Sequence, residues 1–150
     1  MLRAYLDTNI YYISRKYPKT NSRLTLNAAI NEQYLVVQSD YLYEEILTLF
    51  KRKFNKNIAG YQRNLMLSLP LKIIINSQDW LVIANKYKNK ITDLDDLPHV
   101  CSYFVGKCDF FITVNRRLTQ MEIKEEVNFI TPKRFVEKLG LNSLNTQKEI

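Results

Sequence analysis

Apolar and polar positions along this chain recur in two periods, and each change of period marks the end of an element. Arg3 to Leu6 is a short apolar run that switches abruptly to Asp7-Thr8-Asn9, which reads as a strand and its carboxyl end. Ile10, Tyr11, Tyr12 and Ile13 then begin a helix for which Asp7 or Thr8 serves as cap. Ser22 to Asn31 predicts a second helix through Leu24, Leu26, Ala28, Ala29 and Ile30, and Tyr34 to Val37 a second strand. Ser39 or Asp40 caps a third helix with an apolar face through Leu42, Ile46, Leu49 and Phe50. Its last turn, Lys51 to Lys53, complements the helix dipole, and Glu45 lies within it beside Ile46. Ala59 to Ser68 predicts another helix, Pro70 a break, Leu71 to Ile75 a third strand, and Asp79 to Lys88 a helix with Trp80, Ile83, Ala84 and Tyr87 on its apolar face.

The run from Asp93 to Asn115 carries the densest pattern. Asp93, Asp95 and Asp96 precede Pro98, and both carboxylates and a first-turn proline favour a helix N-terminus. Leu97, Val100, Cys101, Phe104 and Val105 follow at helical spacing, and Gly106 sits where the helix stops. Phe110-Phe111-Ile112 is a buried strand, with Asp109 at its amino end and Asn115 just past its carboxyl end. Arg116 to Met121 predicts a turn, Val127 to Ile130 a last strand and Pro132 to Gly140 a closing helix. The polar residues 142–150 are expected to fray. Strands alternating with helices throughout imply an α/β fold with a parallel sheet and right-handed crossovers.

At 150 residues the chain fits one domain, and with only three Gly and four Pro it is not loop-dominated. The longest apolar runs fall short of a membrane span, and Leu-Arg-Ala-Tyr-Leu does not have the form of a secretory leader. Cys101 and Cys108 lack a CxxC or matching His spacing, so they read as core thiols of a reducing, cytoplasmic protein. The net charge of +7 changes the picture of partners: a basic surface attracts polyanions. Arg15, Lys16 and Lys19 form one cluster, Lys51, Arg52, Lys53 and Lys56 a second, and Arg116 and Arg117 a third. Tyr11, Tyr12 and Tyr17 beside the first suggest faces on which bases of RNA stack, although lysine-rich exposed helices are also common without any such role.

Three carboxylates fall at comparable places: Asp7 after the first strand, Glu45 in the helix after the second, and Asp96 at the head of the helix before the fourth. All can meet at the carboxyl edge of a parallel sheet, where open α/β folds bind ligands. Carboxylate oxygens gathered without His or Cys suit Mg²⁺ or Mn²⁺, which can serve phosphodiester hydrolysis. Each residue also has an ordinary role, Asp7 and Asp96 as caps and Glu45 as a half-exposed helix residue; it is their joint placement that suggests a site. His99, the sole histidine, reads as a packed residue rather than a general base.

Four segments together resemble the PIN domain family, whose members include the ribonuclease toxins of toxin–antitoxin pairs. Tyr5-Leu-Asp-Thr-Asn9 is similar to its opening motif and Ser39-Asp-Tyr-Leu-Tyr-Glu-Glu-Ile-Leu47 to its second. Asp93 to Val100 with Gly106 to Thr113 resembles the third, and Asn128 to Phe135 the last strand and closing helix. The resemblance implies a three-layer α/β/α sandwich around a mostly parallel central sheet of about five strands, with a domain over residues 1–140 and a polar tail over 141–150. It implies a metal-dependent endoribonuclease with Asp7, Glu45 and Asp96 as ligands of Mg²⁺ or Mn²⁺, supported by Asn9 and Thr113. A homodimer and an antitoxin partner are further implications. Where the family carries a fourth acidic residue this chain has Asn115, which removes one negative charge and leaves open a catalytically weak or inactive RNA- or protein-binding module. Asp93 or Asp95 could supply a replacement carboxylate, whereas Asp109 sits at the wrong edge.

Overall fold

The computed structural model describes residues 1–120 and 122–145. Its element order is β1 (Arg3–Leu6), α1 (Thr8–Lys16), α2 (Asn21–Ile30), β2 (Leu35–Ser39), α3 (Asp40–Lys53), α4 (Lys56–Ser68), β3 (Lys72–Ile75), α5 (Leu81–Tyr87), α6 (Leu97–Val105), β4 (Phe110–Ile112), α7 (Arg116–Thr119), β5 (Phe129–Ile130) and α8 (Pro132–Lys138). Short 3₁₀ turns at Ser77–Trp80, Leu94–Asp96 and Glu122–Glu125 join some of these. Every strand pairs in parallel, in the order β3-β2-β1-β4-β5. The chain therefore steps one way from β1 to β3 and the other way from β4 to β5. Right-handed crossovers that run in opposite directions place their helices on opposite faces, giving the three-layer α/β/α sandwich. One group packs α1 with α2 and α3, α3 with α4, and α2 with α8; on the other face α5 packs on α6, and α6 on β1 and β2.

Tyr5, Leu6, Val36, Val37, Phe111 and Ile112 supply the sheet's contribution to a buried core, completed by Ile10, Leu42, Ile46, Phe50 and Phe135 from the helices. Both faces of the sheet are covered, which is why its strands are apolar runs without strict alternation. Tyr34 and Phe135 meet edge to face at 4.8 Å and Tyr87 stacks on Phe104 at 4.7 Å.

Several boundaries differ from the sequence expectation for local reasons. β2 runs two residues beyond Val37, because Gln38 and Ser39 pair with Ile74 and Ile75 and the Gln38 amide finds the Tyr43 hydroxyl. α2 and α4 begin earlier than expected, capped by Thr20 onto the Arg23 N–H and by Asn55 onto the Ile58 N–H. The single helix expected over Asp79 to Lys88 is a 3₁₀ turn followed by α5, with the Ser77 N–H held by Asp40 Oδ2 at 3.0 Å. Val127 precedes β5 instead of starting it, since its N–H closes the preceding turn on the Ile123 carbonyl at 2.9 Å. Gly106 does end α6, but its φ is −74° and the positive φ falls on Lys107. What requires glycine is space: a Cβ there would lie 2.5 Å from Val37 Cγ1 and 2.9 Å from the Ser102 carbonyl. The beginning of the expected frayed end is tied down, Asn21 exchanging two 2.8 Å bonds with the Leu144 backbone. Met121 and residues 146–150, part of the expected turn and tail, lie outside the described residues.

Candidate functional site

The strand order reverses direction between β1 and β4, and a cleft of about 550 Å³ opens beyond their carboxyl ends. Its walls bring together Asp7, Asn9, Glu45, Asp96 and Asn115, from four separate elements. Register explains the first contact: Leu6 pairs with Ile112, so Asp7 and Thr113 emerge side by side. The Asp7 N–H donates to the Ile112 carbonyl at 3.0 Å and Thr113 Oγ1 donates to Asp7 Oδ2 at 2.9 Å. Asp7 Oδ1 accepts from the Thr8 N–H at 2.8 Å, so one buried carboxylate both starts α1 and faces the cleft. Asp96 precedes α6 but makes no capping bond, and its Oδ2 accepts from the Arg117 guanidinium at 3.1 Å. The same guanidinium reaches Asp93 at 3.3 Å. Asn115 Oδ1 accepts the Arg117 backbone N–H at 3.0 Å and its own N–H donates to Thr113 Oγ1 at 3.0 Å. Asp109 lies at the opposite edge, accepting from the Arg3 N–H at 2.8 Å.

Glu45 is held from two sides. Thr8 Oγ1 donates to its Oε1, and His99 Nε2 sits 3.2 Å from Oε1 and 3.1 Å from Oε2. His99 is the site residue that sequence reasoning missed. It is 3 % exposed, as a packed residue should be, yet it packs with both ring nitrogens engaged, Nδ1 lying 2.6 Å from the Tyr5 hydroxyl. The one available signal was its position three residues after Asp96, on the same helical face.

The electrostatics follow from burial and crowding. Burial pushes the Asp7 carboxyl above the ordinary carboxylate range, with Glu45 adding to the rise against the opposing pull of His99, Thr113 and Thr8. Burial likewise raises Asp96, which Arg117 partly offsets and Asp93 and Asp7 reinforce. For Glu45 burial also acts upward, but the hydrogen bond and charge of His99 outweigh it and its pKa is lowered. His99 is correspondingly raised: burial disfavours the imidazolium, and Glu45, Asp7 and Asp96 together favour it more strongly. The cleft thus concentrates negative charge that an incoming cation would relieve. Its donors are oxygens, the set preferred by Mg²⁺ or Mn²⁺. Among the described residues no three His, Cys, Asp or Glu side chains already close on a common metal position. Glu45 is turned onto Thr8 and His99, and Asp96 onto Arg117.

No family model and no curated protein matches the chain by sequence. Solved structures do match in fold. The structure of VapBC2 from Rickettsia felis bound to a DNA fragment from its promoter superposes with a TM-score of 0.63 at 13% identity, over 87% of this chain and 98% of that one. VapBC-1 from nontypeable Haemophilus influenzae gives a TM-score of 0.59 at 19% identity, again over 87% of this chain and 98% of that one. The chain has the PIN-domain fold.

On this PIN fold the basic residues separate into two groups. Arg52 and Arg117 line the acidic cleft, whereas Lys16, Lys51, Lys53 and Arg116 are exposed elsewhere. Arg15 donates to Gln62 Oε1 at 3.1 Å, beside a smaller cavity of about 190 Å³ between α1, α2 and α4. Tyr11 is fully buried and presents no face to a base, correcting that expectation. Tyr12 is half-buried against Phe50 and Phe54, with the Lys16 ammonium 5.6 Å from its ring and 5.5 Å from that of Tyr17. Both cysteines are free, and burial raises the Cys101 thiol to about 11 and Cys108 further. Among the described residues no helix is long and apolar enough to cross a membrane.

Proposed function

We propose that this PIN-fold chain is a divalent-metal-dependent endoribonuclease, acting in the cytoplasm as the toxin of a toxin–antitoxin pair. The observation that carries the reading is the convergence of Asp7 just past β1, Glu45 of α3 and Asp96 just before α6 on one cleft at the sheet's switch point. Burial disfavours the charged forms of Asp7 and Asp96, a cost that a bound Mg²⁺ or Mn²⁺ would offset. Glu45 completes the oxygen set. When bound, such an ion supplies charge neutralisation and a lowered pKa for a coordinated water. The chain's own residues do the rest. Thr113 holds the Asp7 carboxylate in orientation, Asn115 anchors the turn into α7, and Arg117 and Arg52 place positive charge at the rim where phosphates of single-stranded or structured RNA would lie. Binding should accordingly weaken steeply with salt.

The fold likeness to VapBC toxin–antitoxin structures supports an antitoxin as protein partner, and a homodimer would set two such clefts on one particle. A second reading, a PIN-fold module that binds RNA or protein with little or no catalysis, is favoured by one observation: Asn115 occupies the place of a fourth carboxylate and its Oδ1 is committed to a backbone N–H. The deciding experiment is cleavage of a mixed RNA pool with Mn²⁺, Mg²⁺ or EDTA, beside Asp7→Asn and Asp96→Asn. Metal-dependent cutting lost in both variants supports the nuclease. RNA binding without cutting in any sample supports the module.

A further inference from the structure

The three carboxylate-bearing elements are joined, behind the cleft, by one residue. His99 belongs to α6, one turn after Asp96; its Nδ1 meets Tyr5 of β1, two residues before Asp7; its Nε2 meets Glu45 of α3. The Tyr5 hydroxyl lies 3.3 Å from Ser39 Oγ, the cap that starts α3 by accepting the Leu42 N–H at 3.1 Å. Thr8 closes the circuit on Glu45 from the side of Asp7. Ser39, Tyr5 and His99 are each at most 3 % exposed, so bulk water does not compete with the bonds that link these three, whereas Glu45 is half-buried and opens to the cleft.

We infer that His99 is a positioning residue, which through its Nε2–H fixes the Glu45 carboxylate in the orientation that a divalent cation needs. The inference rests on the metal-dependent reading above. A carboxylate accepts only, so Nε2 must carry the proton in this contact whether the ring is neutral or charged. With the ring clamped by Tyr5 and flanked edge-on by Tyr41 at 5.3 Å, the donor position is set by packing rather than by the cation. Both Glu45 oxygens lie within reach of that one donor, and Thr8 takes a further acceptor site on Oε1. The lone pairs that remain define the direction in which Glu45 can offer an oxygen. Outer-shell partners of this kind typically change metal affinity by about 10- to 100-fold when removed.

The geometry prescribes a matched pair of variants. In His99→Gln the amide nitrogen can take the place of Nε2, and in His99→Asn it can take only that of Nδ1. Both leave one ring nitrogen's position without its group, so the pair shares comparable damage to packing. Mn²⁺ affinity is measured by calorimetry on wild type, both variants and Asp96→Asn, with urea denaturation recording stability. The expected result is a Kd raised about 10- to 100-fold in the Asn variant and substantially restored in the Gln variant. His99 is the sole histidine, so its side-chain ¹⁵N signals are unambiguous, and Mg²⁺ should shift Nε2. Mn²⁺ binding that Asp96→Asn abolishes but that is equal in wild type and both folded His99 variants overturns this inference alone. If the variants do not fold, an unmoved Nε2 signal in wild type on saturation with Mg²⁺ overturns it. Wild type that binds no Mn²⁺ overturns the inference together with the reading beneath it.

Discussion

Thr113→Val isolates what one buried hydroxyl does for the cleft. Valine keeps the shape of threonine and removes only the oxygen, at a position with no solvent exposure. Two bonds disappear: the 2.9 Å donation to Asp7 Oδ2 and the 3.0 Å acceptance from the Asn115 N–H. A hydrogen bond to a charged group contributes about 1.5–3 kcal/mol, and leaving a half-buried backbone N–H unpaired costs about 1 kcal/mol more. The sum, about 3 kcal/mol, is bounded above because Asp7 can escape by taking up a proton, towards which burial already pushes it. In a chain of this length that corresponds to a Tm lower by roughly 6–12 °C. Urea denaturation at neutral pH measures the loss directly, with Thr113→Ser as control, since serine keeps the hydroxyl and gives up only a methyl. The penalty should also shrink as pH falls through the folded-state titration of Asp7, where the carboxyl becomes neutral in both proteins. A Thr113→Val protein within about 0.5 kcal/mol of wild type, or a Thr113→Ser protein equally damaged, would refute the reasoning.

Three further outcomes are expected. Gly106→Ala should cost about 1–3 kcal/mol through overpacking against Val37, and Val37→Ala should recover part of that in a double-mutant cycle; additive losses would mean that the close approach relaxes freely. His99 gives a pH signature of definite sign: with its folded pKa raised, its stabilisation is complete below the ordinary value near 6.5 and lost as pH rises through the folded value. Denaturation of the metal-free chain across that range should show a decline that His99→Gln lacks, and parallel curves would contradict it. Asn115→Asp restores the missing charge while its carboxylate can still accept the Arg117 N–H, so the Mn²⁺-induced thermal shift should grow by a few degrees; an unchanged shift would place residue 115 outside the metal's reach.

The sequence by itself determined the order of strands and helices, because apolar periodicity and capping side chains are local. Ser39 and Thr131 make capping bonds within a few residues of themselves, and Ala4 to Leu6 is apolar because parallel strands are covered on both faces. It also placed Asp7, Asp96 and Asn115 at the ends of elements, and Glu45 inside the helix after the second strand, where all four can face one edge. Other features arise from chain separation. The His99–Glu45 contact spans 54 residues and the Tyr5–His99 contact 94, and both exist because β4 inserts beside β1 and brings α6 across β1 and β2. No local pattern encodes that strand order, so the histidine three residues after Asp96 could be read as sharing its helical face but not as meeting Glu45 or Tyr5. Tyr11 failed as an exposed aromatic for the same reason, since helical spacing gives its face but not what covers it. Gly106 was legible as a helix end, while its need for glycine was set by Val37 arriving from another strand. The chain's local chemistry fixed which groups stand at the edge of the sheet; the packing of distant elements decided which of them touch.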